Sequence, residues 1–256
     1  MQVRLGPALV AEFIGSFALT FVGIMAIFAA NLGPADASPA AKLLAIALAH
    51  GLVLAVMVTA CMPTSGGHIN PAITIGFLIT GKIKPAAAIA YIVIQLAGGV
   101  VAALAVLALF GPDAGHNVVV SGTPNLGKDL AGTPVRPVVA FLAEVIATFF
   151  LAFAVWGTAA DPRARNVGGF AIGLTIAFDI LAIGPLTGAS MNPQRSFGPT
   201  LVAGGSELWR NHWVYWAGPV VGASLASLIY HLILWPRDRA SGTEAPAMDV
   251  PQTQRP

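Results

Sequence analysis

An all-α membrane protein is what this sequence predicts: six spanning helices and two half-length re-entrant helices, arranged as an inverted repeat. Three observations carry the prediction. Only 9% of the 256 residues are charged against 56% hydrophobic, and the mean hydropathy is +0.79. Soluble domains carry roughly a quarter charged residues, so this chain cannot clothe a water-facing surface. Six apolar stretches approach the roughly 20 residues that a bilayer span requires. Two further apolar pieces are about half that long, and each begins with Asn-Pro.

The spans read as 8–30, 41–62, 86–110, 137–158, 168–186 and 213–235. The first follows Arg4 and so invites comparison with a secretory leader. Its apolar run is longer than a typical leader's core and contains Glu12, so it reads as a retained helix. Turn-rich links separate the spans, at Gly81, Pro85, Gly111-Pro112, Asp161-Pro162 and Trp209–His212. The half-length pieces are 70–80, between the second and third spans, and 192–203, between the fifth and sixth. Short, Gly/Pro-interrupted apolar segments at matching places in two halves point to a functional centre near the bilayer midplane.

The repeat is visible residue by residue. Ala11-Glu12-Phe13-Ile14-Gly15-Ser16-Phe17 matches Ala143-Glu144-Val145-Ile146-Ala147-Thr148-Phe149, and Gly66-Gly67-His68-Ile69-Asn70-Pro71 matches Gly188-Ala189-Ser190-Met191-Asn192-Pro193. Three spans per half is an odd number, so the halves, about 8–110 and 137–235, insert in opposite directions. With the N-terminus inside, the inner segments carry Arg4, Lys82, Lys84, Arg163, Arg165, Arg237, Arg239 and Arg255; the outer ones carry only Lys42, Lys128, Arg136 and Arg210. That bias predicts both termini in the cytoplasm, with Trp209, Trp213 and Trp216 at the outer interface. Residues from 241 to 256 are polar and Pro-containing and read as a disordered tail. The net charge of +2 is too small for a nucleic-acid partner, and Cys61, the only cysteine, excludes an intrachain disulfide.

Asn is a favoured N-cap and Pro a favoured first helical residue, so Asn-Pro alone signals no more than a helix start. Two copies at equivalent places in a duplicated membrane half say more. Irregular backbone at membrane depth is tolerated only where it is buried in protein or lines a wet cavity. Gly66, Gly67 and His68, with Gly188, Ser190 and Met191, are therefore expected to offer a ladder of carbonyl acceptors. Asn70 and Asn192 cap the helices with their oxygens and keep NH2 donors. Each half-helix carries roughly half a positive charge at its N-terminus, and two such ends facing each other oppose cations and protons while leaving neutral molecules unaffected.

These features resemble the aquaporin, or major intrinsic protein, family. The motifs that carry the resemblance are Ala11-Glu12-Phe13, Ser65 through Ala72, Gly188 through Pro193, and Arg195-Ser196-Phe197-Gly198-Pro199. The resemblance implies an hourglass fold with a single channel domain over 1–240, one pore per subunit and a homotetramer in a cell membrane. Its partners are water, small neutral solutes and the lipid bilayer; no cofactor or metal is implied. Pro71 and Ala72 complete the first pore motif. In the second, Pro193 is followed by Gln194 where the family usually has Ala, so that junction must adjust or supply the amide with a partner. Arg195 is a lone cation at membrane depth, costly unless paired or exposed to a wet cavity, and the resemblance assigns it to the narrowest point. The family spacing adds His50, Ile180 and Ala189 there. Read alone, His50 serves equally well as a buried structural residue.

The set His50, Ile180, Ala189 and Arg195 resembles the filters of plant tonoplast intrinsic proteins, which pass water and often ammonia, urea or hydrogen peroxide. A glycerol facilitator is the alternative, disfavoured by Ser196 after Arg195 and by Tyr215-Trp216. Glu12 and Glu144 are expected to support the re-entrant loops as hydrogen-bond acceptors. A secondary transporter would require a titratable coupling site, and Asp179 is the one candidate. Neither a zinc-ligand motif nor a Gly-x-Ser-x-Gly elbow is present, so nothing points to an enzyme.

Overall fold

The computed structural model describes residues 4–34, 36–128, 131–164 and 167–235. Arg165, Arg237, Arg239, Arg255 and the expected tail at 241–256 lie outside the described residues. The described chain forms α1 (Leu5–Leu32), α2 (Pro39–Ser65), α3 (Pro71–Ile79), α4 (Pro85–Phe110), α5 (Pro112–Gly122), α6 (Pro137–Val155), α7 (Gly168–Thr187), α8 (Pro193–Ala203), α9 (Ser206–Arg210) and α10 (Val214–Ile229). One π turn extends α6 through Trp156–Ala160, and another extends α10 through Tyr230–Leu234. Six of these helical units are long and apolar enough to cross a membrane. Large apolar side chains such as Leu52, Val56, Val93 and Phe170 stand on their outer faces, as a hydrocarbon solvent permits.

Local sequence sets the helix starts. Proline opens α2, α3, α4, α5, α6 and α8, where its missing N–H costs nothing. Ser38 adds an N-cap bond to the Ala41 amide at 3.2 Å. Gly66 (φ +88°) and Gly188 (φ +75°) end α2 and α7 in the left-handed region and turn the chain back, and Asn70 and Asn192 then cap the two half-helices. With about 1.5 Å rise per residue, α3 and α8 each reach roughly halfway through a hydrocarbon core about 30 Å thick.

The two halves interlock. The first half's α3 packs mainly on α10, and the second half's α8 packs mainly on α4. Small residues let the long helices approach: a Cβ on Gly51 would come 2.7 Å from the Gly173 carbonyl, and one on Gly98 2.8 Å from that of Phe13. On the second half, Gly218 lies against Glu144 and Gly222 against the α6 backbone. Leu19, Leu54, Val58, Ile73, Leu151, Ile172 and Ile176 belong to the main buried core.

Two links hold more structure than their turn residues suggest. After Gly111, Pro112 starts α5, whose Val118 and Val119 bury against Ile24, Val106 and Ala203. The stretch before the sixth span folds as α9.

At the end of the bundle that carries Arg4 and Trp235, Asp161 accepts hydrogen bonds from the Arg163 side chain (2.6 and 3.0 Å) and from the Tyr230 hydroxyl (2.8 Å). Those bonds, Arg163's first, hold the Asp161 carboxyl below its ordinary value. Its stabilisation is therefore complete above the unfolded carboxylate pKa of about 3.9 and fades as pH falls toward the lower folded value. Asp161→Asn is expected to lower the melting temperature in detergent at pH 7, with a gap to the unmodified protein that narrows below about pH 4. A gap of constant size across that range would show that the charge contributes nothing.

Candidate functional site

Two buried carboxylates build the centre. Glu12 on α1 accepts from Ser65 Oγ (2.7 Å), the His68 amide (2.9 Å), the Ile69 amide (2.6 Å) and Gln95 Nε2 (2.8 Å). Glu144 on α6 accepts from Thr187 Oγ1 (2.7 Å), the Ser190 amide (2.9 Å) and the Met191 amide (2.7 Å). The agreement continues outward: the Tyr91 hydroxyl donates to the Ser65 carbonyl at 2.9 Å, and the Tyr215 hydroxyl to that of Thr187 at 2.8 Å. These acceptors hold backbone that would otherwise relax. Ile69, Ala189 and Met191 all have φ between +45° and +50°, a region that non-glycine residues rarely occupy and that persists where surroundings enforce it.

The same loops deliver Asn70 and Asn192 to a common point. The Asn70 side-chain oxygen accepts from the Ala72 amide at 2.8 Å, and that of Asn192 from the Gln194 amide at 3.2 Å. Across the junction, Asn70 Nδ2 donates to the Met191 carbonyl and Asn192 Nδ2 to the Ile69 carbonyl, both at 2.8 Å. Each amide therefore has one N–H committed to the opposite loop and one left. Pro71, Ala72 and Pro193 are buried behind them in the first turns of α3 and α8.

Gln194 finds a partner for its side-chain oxygen, while its Nε2 is buried without one among the described residues. Its Oε1 accepts from Thr20 Oγ1 at 2.9 Å, and Gly99 leaves the space: a Cβ there would stand 2.7 Å from Oε1. The polar side chain thus points away from the pore axis into the α1–α4 seam.

A narrow cavity lies at the centre. His50, Ile180, Ala189 and Arg195 all line it, as do Asn70 and Asn192. Arg195, only 2% exposed, donates through one terminal nitrogen to the Gly122 carbonyl at 3.0 Å and sets the other 3.3 Å from His50 Nε2. His50 Nδ1 lies 2.8 Å from the Ile46 carbonyl. That carbonyl can only accept, so the partners assign the proton to Nδ1 and leave Nε2 as the acceptor facing Arg195. Leu19, Leu54, Val58, Ile73, Leu151, Ile172 and Ile176 supply the apolar part of the lining.

Of the expected carbonyl ladder, Gly67, His68 and Ser190 line the cavity; Ile69 lines it too, but its carbonyl is taken by Asn192. Gly66 and Gly188 serve as the helix-ending turns, and the Met191 carbonyl is taken by Asn70. His68 is held by Thr74 Oγ1 (3.1 Å) and stacks on Phe77. Asp179 is buried beside Ile180 with its Oδ2 unpartnered, and it does not line the cavity. Sequence reading missed Gly23, where a Cβ would come 2.6 Å from His50 Nε2, and the Gly122 carbonyl under Arg195. Gly23 shares the buried face of α1 with Glu12, Ser16, Leu19 and Thr20; a glycine in that stripe was the available signal. A backbone carbonyl carries no such signal.

Comparison with known proteins agrees with this architecture. The family model described as Major intrinsic protein matches residues 2–230. Aquaporin TIP4-4 of Zea mays is 43% identical over 227 residues, covering 87% of this chain and 84% of that one. Probable aquaporin TIP3-2 of Arabidopsis thaliana is 38% identical, covering 90% and 84%. The X-ray structure of the aquaglyceroporin from Plasmodium falciparum superposes with TM-score 0.76 at 22% identity, over 90% of this chain and 97% of that one, a likeness of fold.

Proposed function

Since the chain belongs to the major intrinsic protein family, an integral multi-pass family of channels, we propose that it conducts water passively, together with small neutral solutes such as ammonia, urea or hydrogen peroxide, and excludes protons and ions. The observation that carries this reading is the joint lining of one cavity by His50, Ile180, Ala189 and Arg195. Arg195 is the fixed cation of that constriction, and His50 offers it an acceptor. The side chains of Ile180 and Ala189 supply no hydrogen bond, and that of Ala189 adds little bulk, which favours passage of solutes somewhat larger than water.

Ion exclusion follows from the junction. The positive ends of α3 and α8 face each other, and the free N–H of Asn70 and of Asn192 both point donors at the same place. A water oxygen there accepts from both, so its own hydrogens turn away and the hydrogen-bonded file needed to relay a proton is broken. Residues 1–240 form one channel domain in this reading, assembled as a homotetramer in a cell membrane. Lys82 and Lys84 line one groove with Leu5, next to Arg4; Lys82 also sits over Trp235, and Arg163 donates to the Leu234 carbonyl, so these cations share one face, which supports cytoplasmic termini.

Stopped-flow measurements on reconstituted liposomes test the proposal. Water permeability should far exceed that of empty vesicles, with ammonia and urea also accelerated. The flux should neither saturate nor respond to a proton gradient; saturation or gradient dependence would indicate a transporter and sink the channel reading. Glycerol flux above that of urea would make the protein a glycerol facilitator instead. His50→Ala is expected to raise urea permeability about twofold or more, since it removes a ring from the constriction and a hydrogen bond worth roughly 1 kcal/mol from Arg195. Unchanged permeability to every solute would refute the filter assignment.

A further inference from the structure

α5 does more than link the third and fourth spans. α5 touches α8 at both ends. At its C-terminus, the Gly122 carbonyl accepts from Arg195, near the start of α8, at 3.0 Å. One and a half turns earlier, His116 Nε2 lies 2.9 Å from the carbonyl of Ala203, the last residue of α8. That carbonyl belongs to the final turn of a helix, where acceptors have no intrahelical donor. It can only accept, so His116 donates through Nε2.

Between these contacts α5 is seated without slack. A Cβ on Gly115 would come 2.8 Å from Leu107 Cα, and one on Gly122 2.8 Å from an Ile24 methyl. Val118 and Val119 bury in the cluster that also contains Ala203. The α5 brace therefore cannot shift along α4 and α1, and whatever it holds inherits that position.

We propose that His116 is a positioning residue for solute selection: by tying the far end of α8 to the seated α5, it sets the depth and tilt of α8 and so the place of the Arg195 guanidinium in the constriction. The inference rests on the filter reading above. His116 is itself exposed and does not line the cavity, so its influence on solutes runs through α8. Without the bond, the last turn of α8 loses its tie to α5, and the constriction admits larger solutes more often.

The test is the ratio of urea to water permeability in liposomes, measured for the intact chain carrying His116→Ala, His116→Gln, Asn117→Ala or Arg195→Ala. A purely structural loss lowers the amount of working channel and leaves the ratio where it was. His116→Ala should raise the ratio about twofold or more, His116→Gln should restore it because its amide also donates, and exposed Asn117→Ala should leave it unchanged. Should His116→Ala fail to reconstitute, His116→Asn, too short to reach Ala203, serves the same comparison. A ratio unmoved by His116→Ala while Arg195→Ala moves it overturns this inference and leaves the filter intact. A ratio unmoved by Arg195→Ala overturns the filter reading itself.

Discussion

Glu12→Leu is expected to abolish water conduction and to destabilise the protein more than any other single substitution at the centre. Glu12 is fully buried and accepts four hydrogen bonds, two of them from the backbone amides of His68 and Ile69. Leucine fills similar space and offers no acceptor. Each buried donor left unsatisfied costs about 1–3 kcal/mol, so the two amides alone cost roughly 2–6 kcal/mol. Ile69, held at φ +50°, would then relax toward an ordinary conformation and carry Asn70 out of the junction. Glu12→Gln keeps one acceptor oxygen but turns an NH2 against the remaining donors, so an intermediate loss is expected. Glu144→Leu should resemble Glu12→Leu with a smaller effect, because it strands no counterpart of Gln95. Melting temperature in detergent and osmotic permeability at matched protein content check both. Full water permeability in Glu12→Leu would show that the loop stands without its acceptor.

The parts of this structure that were legible from sequence are those whose cause is local or repeated. Asn-Pro carries its own cap and first turn, so α3 and α8 could be bounded to within a residue or so from the residues themselves. The spans were set by length and composition, and the equivalence of Glu12 with Glu144 by duplication. What could not be read depends on partners far away in the chain. Gln194 is accommodated by Thr20, 174 positions earlier, and by the missing side chain at Gly99. α5 was hidden because Gly111-Pro112 is equally a turn and a helix start, and its burial against Ile24 and Ala203 has no periodic signature of membrane length. The Asn70 and Asn192 amides looked free to meet a solute with both hydrogens; each spends one on the opposite loop, a bond that exists only once the halves interlock.

Arg195→Ala should separate the two tasks assigned to the constriction. Removing the side chain frees the Gly122 carbonyl and His50 Nε2, widens the passage and deletes its fixed charge. Urea permeability relative to water is expected to rise about tenfold, which corresponds to some 1.4 kcal/mol of lost discrimination. The charge has a larger effect on cations: at about 5 Å and an effective dielectric constant near 20, like charges repel by roughly 3 kcal/mol. Cation leak should then rise by about two orders of magnitude. It should still fall short of free passage, because the dipoles of α3 and α8 remain. Arg195→Lys distinguishes charge from shape. Lysine keeps the cation but cannot reach Gly122 and His50 together with one compact ammonium, so urea discrimination should relax while ions stay excluded. Ion flux and solute flux measured on the same vesicles resolve the two effects. Equal leak through the lysine and alanine variants would mean that geometry at the constriction, and not the charge of Arg195, keeps ions out.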